Sequence, residues 1–126
     1  MKFTIDKKDK YTAFRLEEEN LNSLLAPDLK SEFVILSNEG VRNLIFNLSE
    51  VKFVDSSGLS AILTANRLWK ELGNFIVTGI DHPSVKKLIT ISRLDSVLTI
   101  VDTVADGIDL IMMQEIENEL NSEEEY

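Results

Sequence analysis

The residues best suited to chemistry stand together in one short string, Asp55-Ser56-Ser57-Gly58-Leu59. An apolar stretch typical of a strand precedes the string, and residues with helical periodicity follow it, so its polar members fall at a predicted helix N-terminus. Free backbone N–H groups and the positive end of the helix dipole favour an anionic oxygen there. A phosphate on a serine of this string would add about −1.5 to −2 charges and would oppose docking of an acidic or apolar partner surface.

The same string also has a purely structural interpretation, because Asp and Ser are good helix caps and Gly permits a tight turn. The chemistry of the string alone leaves both interpretations open. A third hypothesis is a small enzyme or nucleotide-binding protein that uses Asp55 and the helix N-terminus. No base, metal cluster or phosphate-binding loop accompanies the site in the sequence, and this lowers the weight of that hypothesis.

Composition excludes several classes of catalytic and metal site. The chain has no Cys and one His, His82, so a thiol nucleophile, a thiolate metal site and a site with several imidazoles are excluded within one chain. His82 stands beside Pro83 at a predicted helix entrance, where a capping or surface role is favoured over catalysis. The sequence lacks dinucleotide, P-loop and G-x-S-x-G motifs. We therefore expect no enzymatic activity, no catalytic residue, no cofactor and no metal.

The charge balance narrows the range of partners. The chain carries 13 basic and 22 acidic residues, a net charge of −9, and such a surface disfavours nucleic acid and anionic membranes. No apolar run approaches the roughly 18 residues needed to span a bilayer, and the first ten residues do not resemble a signal peptide. The sequence thus predicts a cytoplasmic protein without membrane insertion, whose partner is a protein or a small molecule.

Hydrophobic periodicity predicts the elements that position the string. The 126 residues suit one domain, and the pattern predicts the order β-β-α-β-α-β-α-β-α. Such alternation indicates a mostly parallel sheet with crossover helices and an antiparallel pair of strands at its start. The predicted strands are residues 2–6, 11–17, 43–48 with an extension over 51–54, 74–79 and 97–101, and the predicted helices are residues 27–40, about 58–72, one from 83 and one from 103.

Placed at this strand-to-helix junction, the string Asp55-Ser56-Ser57-Gly58-Leu59 resembles the phosphorylation motif of STAS domains, and in particular of bacterial anti-sigma factor antagonists. Residues 47–51 resemble the strand that leads into the motif, and residues 88–95 resemble a late helix with its Leu-Asp ending. The resemblance covers roughly residues 3 to 112. It implies an α/β STAS fold: a four- to five-strand mixed, mostly parallel sheet with four helices packed mainly on one side. We expect this domain over residues 1–120, followed by an acidic, disordered tail over residues 121–126.

The resemblance also implies a function, called partner switching. The unphosphorylated protein would bind an anti-sigma factor serine kinase and release the sigma factor, phosphorylation of Ser56 (with Ser57 as the fallback) would end the binding, and a serine phosphatase would reset the protein. We expect a monomer or a weak dimer. The residues expected to bind the partner are Asn22, Asp55, Ser56, Ser57, Gly58, Leu59, Ser60, Thr64 and Arg67.

One departure from the family pattern motivates an alternative function. The family often carries Gly-Glu-Leu-Asp before the first helix, where this chain has Glu19-Asn20-Leu21-Asn22. Asn22 keeps the size of the family's Asp, which helps to contact the kinase, but loses its charge. The alternative is a STAS accessory subunit of a transporter or of another signalling complex.

Overall fold

A computed structural model describes residues 1–124 and shows the expected alternation of strands and helices. These residues contain seven strands, four α-helices and a one-turn 3₁₀ helix. In order, these are β1 (Phe3–Lys7), β2 (Thr12–Leu16), β3 (Asn20–Leu21), α1 (Ala26–Asn38), β4 (Asn43–Asn47), β5 (Phe53–Val54), α2 (Ser56–Trp69), β6 (Asn74–Thr78), α3 (Pro83–Ile91), the 3₁₀ helix (Leu94–Ser96), β7 (Thr99–Ile100) and α4 (Val104–Glu124).

Five of the strands form one mixed sheet in the order β1-β2-β4-β6-β7. β1 and β2 pair antiparallel, whereas the other three pairs are parallel. The α/β class, the mostly parallel sheet and the antiparallel pair at its edge are therefore confirmed. Helical crossovers join the parallel strands, as parallel pairing requires.

The two faces of this sheet carry unequal numbers of helices. In β4, Leu44 and Phe46 join the core cluster that contains the buried residues of α1, α2 and α3. Ile45 instead joins a separate cluster with Ile76 of β6 and Ile111 of α4. Alternate residues of a strand point to opposite faces, so three helices cover one face and α4 covers the other. The expected packing mainly on one side agrees with this arrangement.

A second, two-stranded sheet was not predicted from the sequence. β3 pairs with β5 in parallel, with Asn20 opposite Phe53 and Leu21 opposite Val54. The hydrophobic pattern showed residues 51–54 only as an extension, because two residues are too few for an alternation to be recognised. This small sheet joins the segment before α1 to the segment before α2.

Several predicted boundaries were wrong by a few residues. α2 begins at Ser56 rather than near Gly58, because Asp55 caps it, and ends at Trp69 rather than near Leu72. The last strand is shorter than residues 97–101, because the 3₁₀ helix and Val97 at its end occupy the preceding segment.

The chain end belongs to a long helix as far as the structure describes it. α4 includes residues 121–124 of the expected tail, and residues 125–126 lie outside the described residues. The boundary at residue 120 stays a prediction. None of the helices within residues 1–124 is both long and apolar enough to cross a lipid bilayer.

Candidate functional site

The string of residues 55–59 lies at the edge of the sheet where the parallel strands end. The β3–β5 pairing brings the loop after β3 beside the start of α2, and the Asp55 N–H donates to the Leu21 carbonyl oxygen at 3.1 Å. At the other end of α2, the Trp69 Nε1–H donates to the Val41 carbonyl oxygen, just before β4 begins. α2 therefore runs back across the sheet, and its N-terminus projects at the carboxyl edge.

The Asp55 carboxylate fixes the geometry of this N-terminus. Its Oδ1 accepts a hydrogen bond from the Gly58 N–H at 2.9 Å, which is the geometry of a helix N-cap. Its Oδ2 accepts from the Ser23 N–H at 3.2 Å. One side chain thus holds both the first turn of α2 and the loop that leads into α1.

Gly58 allows α2 to approach the small sheet closely. A Cβ atom at this position would lie 2.5 Å from the Leu21 carbonyl oxygen and 2.8 Å from the side chains of Leu21 and Val54. A larger residue would push the helix away from β3. Asp55 and Gly58 therefore have structural roles that do not depend on any modification of the motif.

The two serines of the motif are free of such a role. Ser56 is the first residue of α2 and is exposed, whereas Ser57 is half-buried. Within residues 1–122, no hydrogen bond engages the hydroxyl of either serine. The motif thus separates into a frame, formed by Asp55 and Gly58, and two serines whose hydroxyls the frame does not use. Ser56 is the more accessible serine.

A shallow cleft runs from these serines to the start of α1. Ser56, Ser57 and Ser60 line its α2 side, and the α1 side is lined by Ser23, Ala26, Pro27 and Lys30. Lys30 is the only charged residue in this lining. Lys30 and Ser23 were not predicted as site residues, because their proximity to Ser56 depends on the short β3–β5 pairing.

Leu24 is a further residue that sequence reasoning missed. Its side chain is 82% exposed, and its N–H donates to the Asn22 Oδ1 atom at 3.0 Å. The one signal for Leu24 in the sequence was that an apolar residue stands just outside the helical periodicity of α1. Leu24 stands next to Ser23, which Asp55 holds, and so lies close to the serine pair.

The predicted partner-binding residues on α2 fall into an exposed group and a group that is engaged within the protein. Ser60 and Arg67 are exposed on α2, and Arg67 lies 11 positions beyond Ser56, or about 16 Å along the helix at 1.5 Å per residue. Thr64 is half-buried and its hydroxyl donates to the Ser60 carbonyl oxygen. Leu59 packs against the main core instead of pointing outward.

Asn22 serves its own loop. Its Oδ1 accepts from the Leu24 N–H and, at 3.4 Å, from the Leu25 N–H, so the side-chain oxygen stabilises the turn before α1. The position lies beside Asp55 through the strand pairing, as a shared binding surface requires.

Neither a metal cluster nor a reactive His is evident at the described site. No group of three acidic or His side chains within residues 1–122 could hold a metal ion. His82 accepts a hydrogen bond from the Ser84 N–H through Nδ1 and caps α3, which confirms the capping role predicted for it.

Comparison with known proteins identifies the family. The STAS domain family model matches residues 2–107, which is most of the chain. The chain belongs to the STAS domain family. The string of residues 55–59 at the start of α2 lies within this matched range.

The similar proteins carry related names. A Thermotoga neapolitana protein named as an anti-sigma factor antagonist is 25% identical over 72 residues. The match spans 57% of this chain and 64% of that relative, less than two thirds of its length.

Two solved structures share the STAS fold at low sequence identity. An anti-sigma factor antagonist from Mycobacterium paratuberculosis is 22% identical with a TM-score of 0.77, and 88% of this chain and 93% of that chain are covered. The Bacillus cell fate determinant SpoIIAA in its phosphorylated form is 21% identical with a TM-score of 0.66, and the covered shares are 87% and 99%.

Proposed function

We propose that this STAS protein is an anti-sigma factor antagonist that works by partner switching. It binds an anti-sigma factor serine kinase while Ser56 is unphosphorylated, and the sigma factor is thereby released. The observation that carries this proposal is the exposed Ser56 hydroxyl, which no described residue binds, at the first position of a firmly capped helix. The names of the STAS relatives support the same role.

Phosphorylation of Ser56 then ends the binding. The Ser56 Oγ takes the γ-phosphoryl group of ATP, ADP leaves, and the hydroxyl proton passes to a base of the kinase. A serine phosphatase removes the phosphate by hydrolysis and resets the protein. All of these steps occur in the cytoplasm, where sigma factors act.

The frame around Ser56 explains how the charge can change while the fold does not. The Asp55 carboxylate keeps its bonds to Gly58 and Ser23, because neither bond involves the Ser56 hydroxyl. The N-terminus of α2 and the nearby Lys30 ammonium both favour a phosphate electrostatically. The modified protein is therefore expected to stay folded.

Leu24 supplies the apolar part of the proposed binding surface. A partner pocket that buries this exposed leucine would lie next to the cleft that contains Ser56, because Ser23, the chain neighbour of Leu24, lines the same cleft as Ser56. A phosphate in that cleft would be desolvated by the docked partner, and burial of an unpaired charge is costly. Ser60 and Arg67 would extend the contact along α2.

The experiment is a pull-down from the lysate of the source organism, with wild-type protein and the Ser56→Asp variant as baits. We expect the wild-type bait alone to recover a serine kinase with an ATP-binding domain. Circular dichroism of both baits controls for folding. The recovered kinase, given Mg-ATP, should phosphorylate wild-type protein and the Ser57→Ala variant, but not Ser56→Ala. Phosphate on Ser57 alone would transfer the switch to the fallback residue.

The alternative function, a STAS accessory subunit of a transporter or other signalling complex, is favoured by Asn22. This residue lacks a charge, and its side-chain oxygen is engaged by two N–H groups of its own loop. The same pull-down distinguishes the two functions. Recovery of the same transporter subunits by both baits would exclude the anti-sigma factor role.

A further inference from the structure

The last part of α4 leaves the body of the protein. The Asp102 carbonyl oxygen, just before α4, accepts from Gly79 after the end of β6, and the Gln114 Oε1 accepts from the Asn74 side chain at the start of β6. α4 therefore runs antiparallel to β6 and reaches the amino edge of the sheet at Gln114. Residues 115–122, here called the α4 extension, continue the helix for about 12 Å beyond that edge.

The α4 extension carries an unpartnered apolar stripe. Met113, Ile116 and Leu120 are 60%, 58% and 53% exposed, and Met112 lies beside them. At 100° per residue these four positions fall within about a quarter of the helix circumference, on the side opposite to Ile111, which is buried against the sheet. A short helical segment in water is marginally stable alone, and an exposed apolar stripe of this kind marks an interaction surface.

The charges near this stripe are complementary. The chain has no Lys or Arg after Arg93, and Glu117 and Glu119 flank the stripe. At the base of the α4 extension, a cleft is lined by four basic and three acidic residues, so its side chains carry a net charge of +1; the acidic ones are Asp9, Glu39 and Glu115. Lys7 already pairs with Glu39 at 2.6 Å, whereas Lys10 approaches the Glu115 carboxylate only at 3.9 Å. The four basic residues are Lys7, Lys8, Lys10 and Arg42.

We propose that the α4 extension is the contact between two copies of this chain. The two helices pair antiparallel, centred between residues 116 and 117, with their apolar stripes in contact. In that arrangement Glu119, on the acidic flank of each helix, lies toward the basic cleft of the other copy. A second copy is the fitting occupant because one pole of the molecule supplies all three parts of a self-complementary, two-fold interface: the stripe, the acidic flanks and the basic cleft.

The antiparallel direction follows from the charges. A parallel pair would place Glu119 beside its own counterpart, whereas the antiparallel pair moves Glu119 of one copy toward Lys10 of the other. The contact also leaves Ser56 accessible, because the α4 extension projects from the opposite edge of the sheet. The family match ends at residue 107, so the α4 extension lies outside the matched region.

Sedimentation equilibrium of the full chain over a wide range of concentrations tests the proposal. We expect a monomer–dimer equilibrium for wild-type protein and a dissociation constant raised by more than about tenfold for Ile116→Glu. Ile91→Glu is the matched control, since Ile91 is 67% exposed on α3 and the substitution adds the same charge. A wild-type protein that stays monomeric at every concentration would overturn the proposal, as would equal effects of the two substitutions.

Cysteine cross-linking tests the direction, and the absence of native Cys makes it unambiguous. Met113→Cys chains mixed with Leu120→Cys chains should form a mixed disulfide, because antiparallel pairing about the stated centre places these two positions opposite each other. Efficient self-cross-linking of each variant without the mixed product would contradict the antiparallel pair.

A charge exchange tests the electrostatic part of the contact. Glu119→Lys and Lys10→Glu should each weaken the dimer, and the double variant should recover much of the loss, because each interface then contains the same pair reversed. Failure of the double variant to recover would contradict the proposed contact between Glu119 and the basic cleft.

Discussion

The two faces of the main sheet are packed in different ways. On the face covered by α1, α2 and α3, the Phe33 ring lies 5.2 to 6.2 Å from the rings of Phe14, Phe46, Trp69 and Phe75. On the other face, the fully buried residues are Ile45, Ile76 and Ile111, around a single helix. Aromatic rings in mutual contact bury large areas, so the three-helix face holds most of the packing energy.

This difference in packing matches the two proposed sites, Ser56 at the start of α2 and the α4 extension. Ser56, the proposed switch residue, begins a helix that the densely packed face holds, so a change of charge there need not move the backbone. α4 packs on the face that no other helix covers, and it extends past the sheet. A binding surface at its end is therefore coupled only weakly to the core. A substitution on either face should therefore have a characteristic effect.

The largest effect is expected for Phe33→Ala. Removal of a buried phenylalanine costs about 3–5 kcal/mol, and Phe33 contacts four other rings, so the free energy of unfolding should fall by an amount near the upper end. Urea denaturation followed by circular dichroism measures it. Phe53→Ala is the control, because Phe53 is exposed on β5. Similar losses for both variants would contradict the assignment of the core to the three-helix face.

The same substitution on the two faces gives the next comparison. Ile62 on α2 and Ile111 on α4 are both buried, and Ile→Ala in a core costs about 2–5 kcal/mol. We expect the loss to be larger for Ile62→Ala, because several elements enclose that site, whereas α4 alone covers Ile111 and can shift to close the cavity. Equilibrium unfolding of the two variants in parallel measures the difference. A larger loss at Ile111 would reverse the comparison.

The long, periodic elements of both faces could be predicted from the sequence. The continuous apolar run of β4 indicated a central strand, either covered on both sides or covered on one side and partly exposed on the other, and the structure shows the first. Pro27 and Pro83 marked helix starts within one residue of the observed ones. The string of residues 55–59 was placed correctly at the start of a helix. These features depend on local chemistry, which the sequence displays directly.

The features that a local pattern could not predict depend on contacts between distant segments. β3 has only two residues, and its pairing with β5 brings Ser23 and Lys30 near Ser56. No periodicity indicates such a pairing, so the α1 side of the cleft was missed. The start of α2 was placed two residues late, because Gly58 was assumed to begin the helix, whereas it packs inside its first turn.

Replacement of glycine by alanine should lower the free energy of unfolding on the three-helix face and should leave it unchanged or raise it slightly on the α4 face. In Gly58→Ala the new methyl group meets the Leu21 carbonyl oxygen at 2.5 Å, so we expect a loss of about 1–3 kcal/mol. In Gly107→Ala the nearest atom is the end of the Ile45 side chain at 3.3 Å, and alanine favours the helix by up to about 1 kcal/mol. The expected result there is between no change and a small gain. Thermal unfolding of both variants is the measurement, and destabilisation of both by the same amount would contradict the prediction.

The smallest expected effect concerns the caps of the two helices. Asp55 caps α2, and Asp106 exchanges hydrogen bonds with Thr103 at the start of α4. Loss of either cap in Asp55→Ala or Thr103→Ala should cost about 1 kcal/mol in urea denaturation. Only Asp55→Ala should also loosen the switch region, because Asp55 alone binds the Ser23 N–H as well as the Gly58 N–H.

Amide hydrogen exchange resolves these two bonds of Asp55. Asp55→Ala should accelerate exchange at both the Ser23 and the Gly58 N–H groups. Asp55→Asn keeps one carbonyl oxygen, which can still accept from Gly58, but replaces the second oxygen with an NH₂ group that cannot accept from Ser23. Exchange should then rise at Ser23 alone. An unchanged Ser23 rate in both variants would mean that the β3–β5 pairing, and not Asp55, holds the α1 side of the cleft beside Ser56.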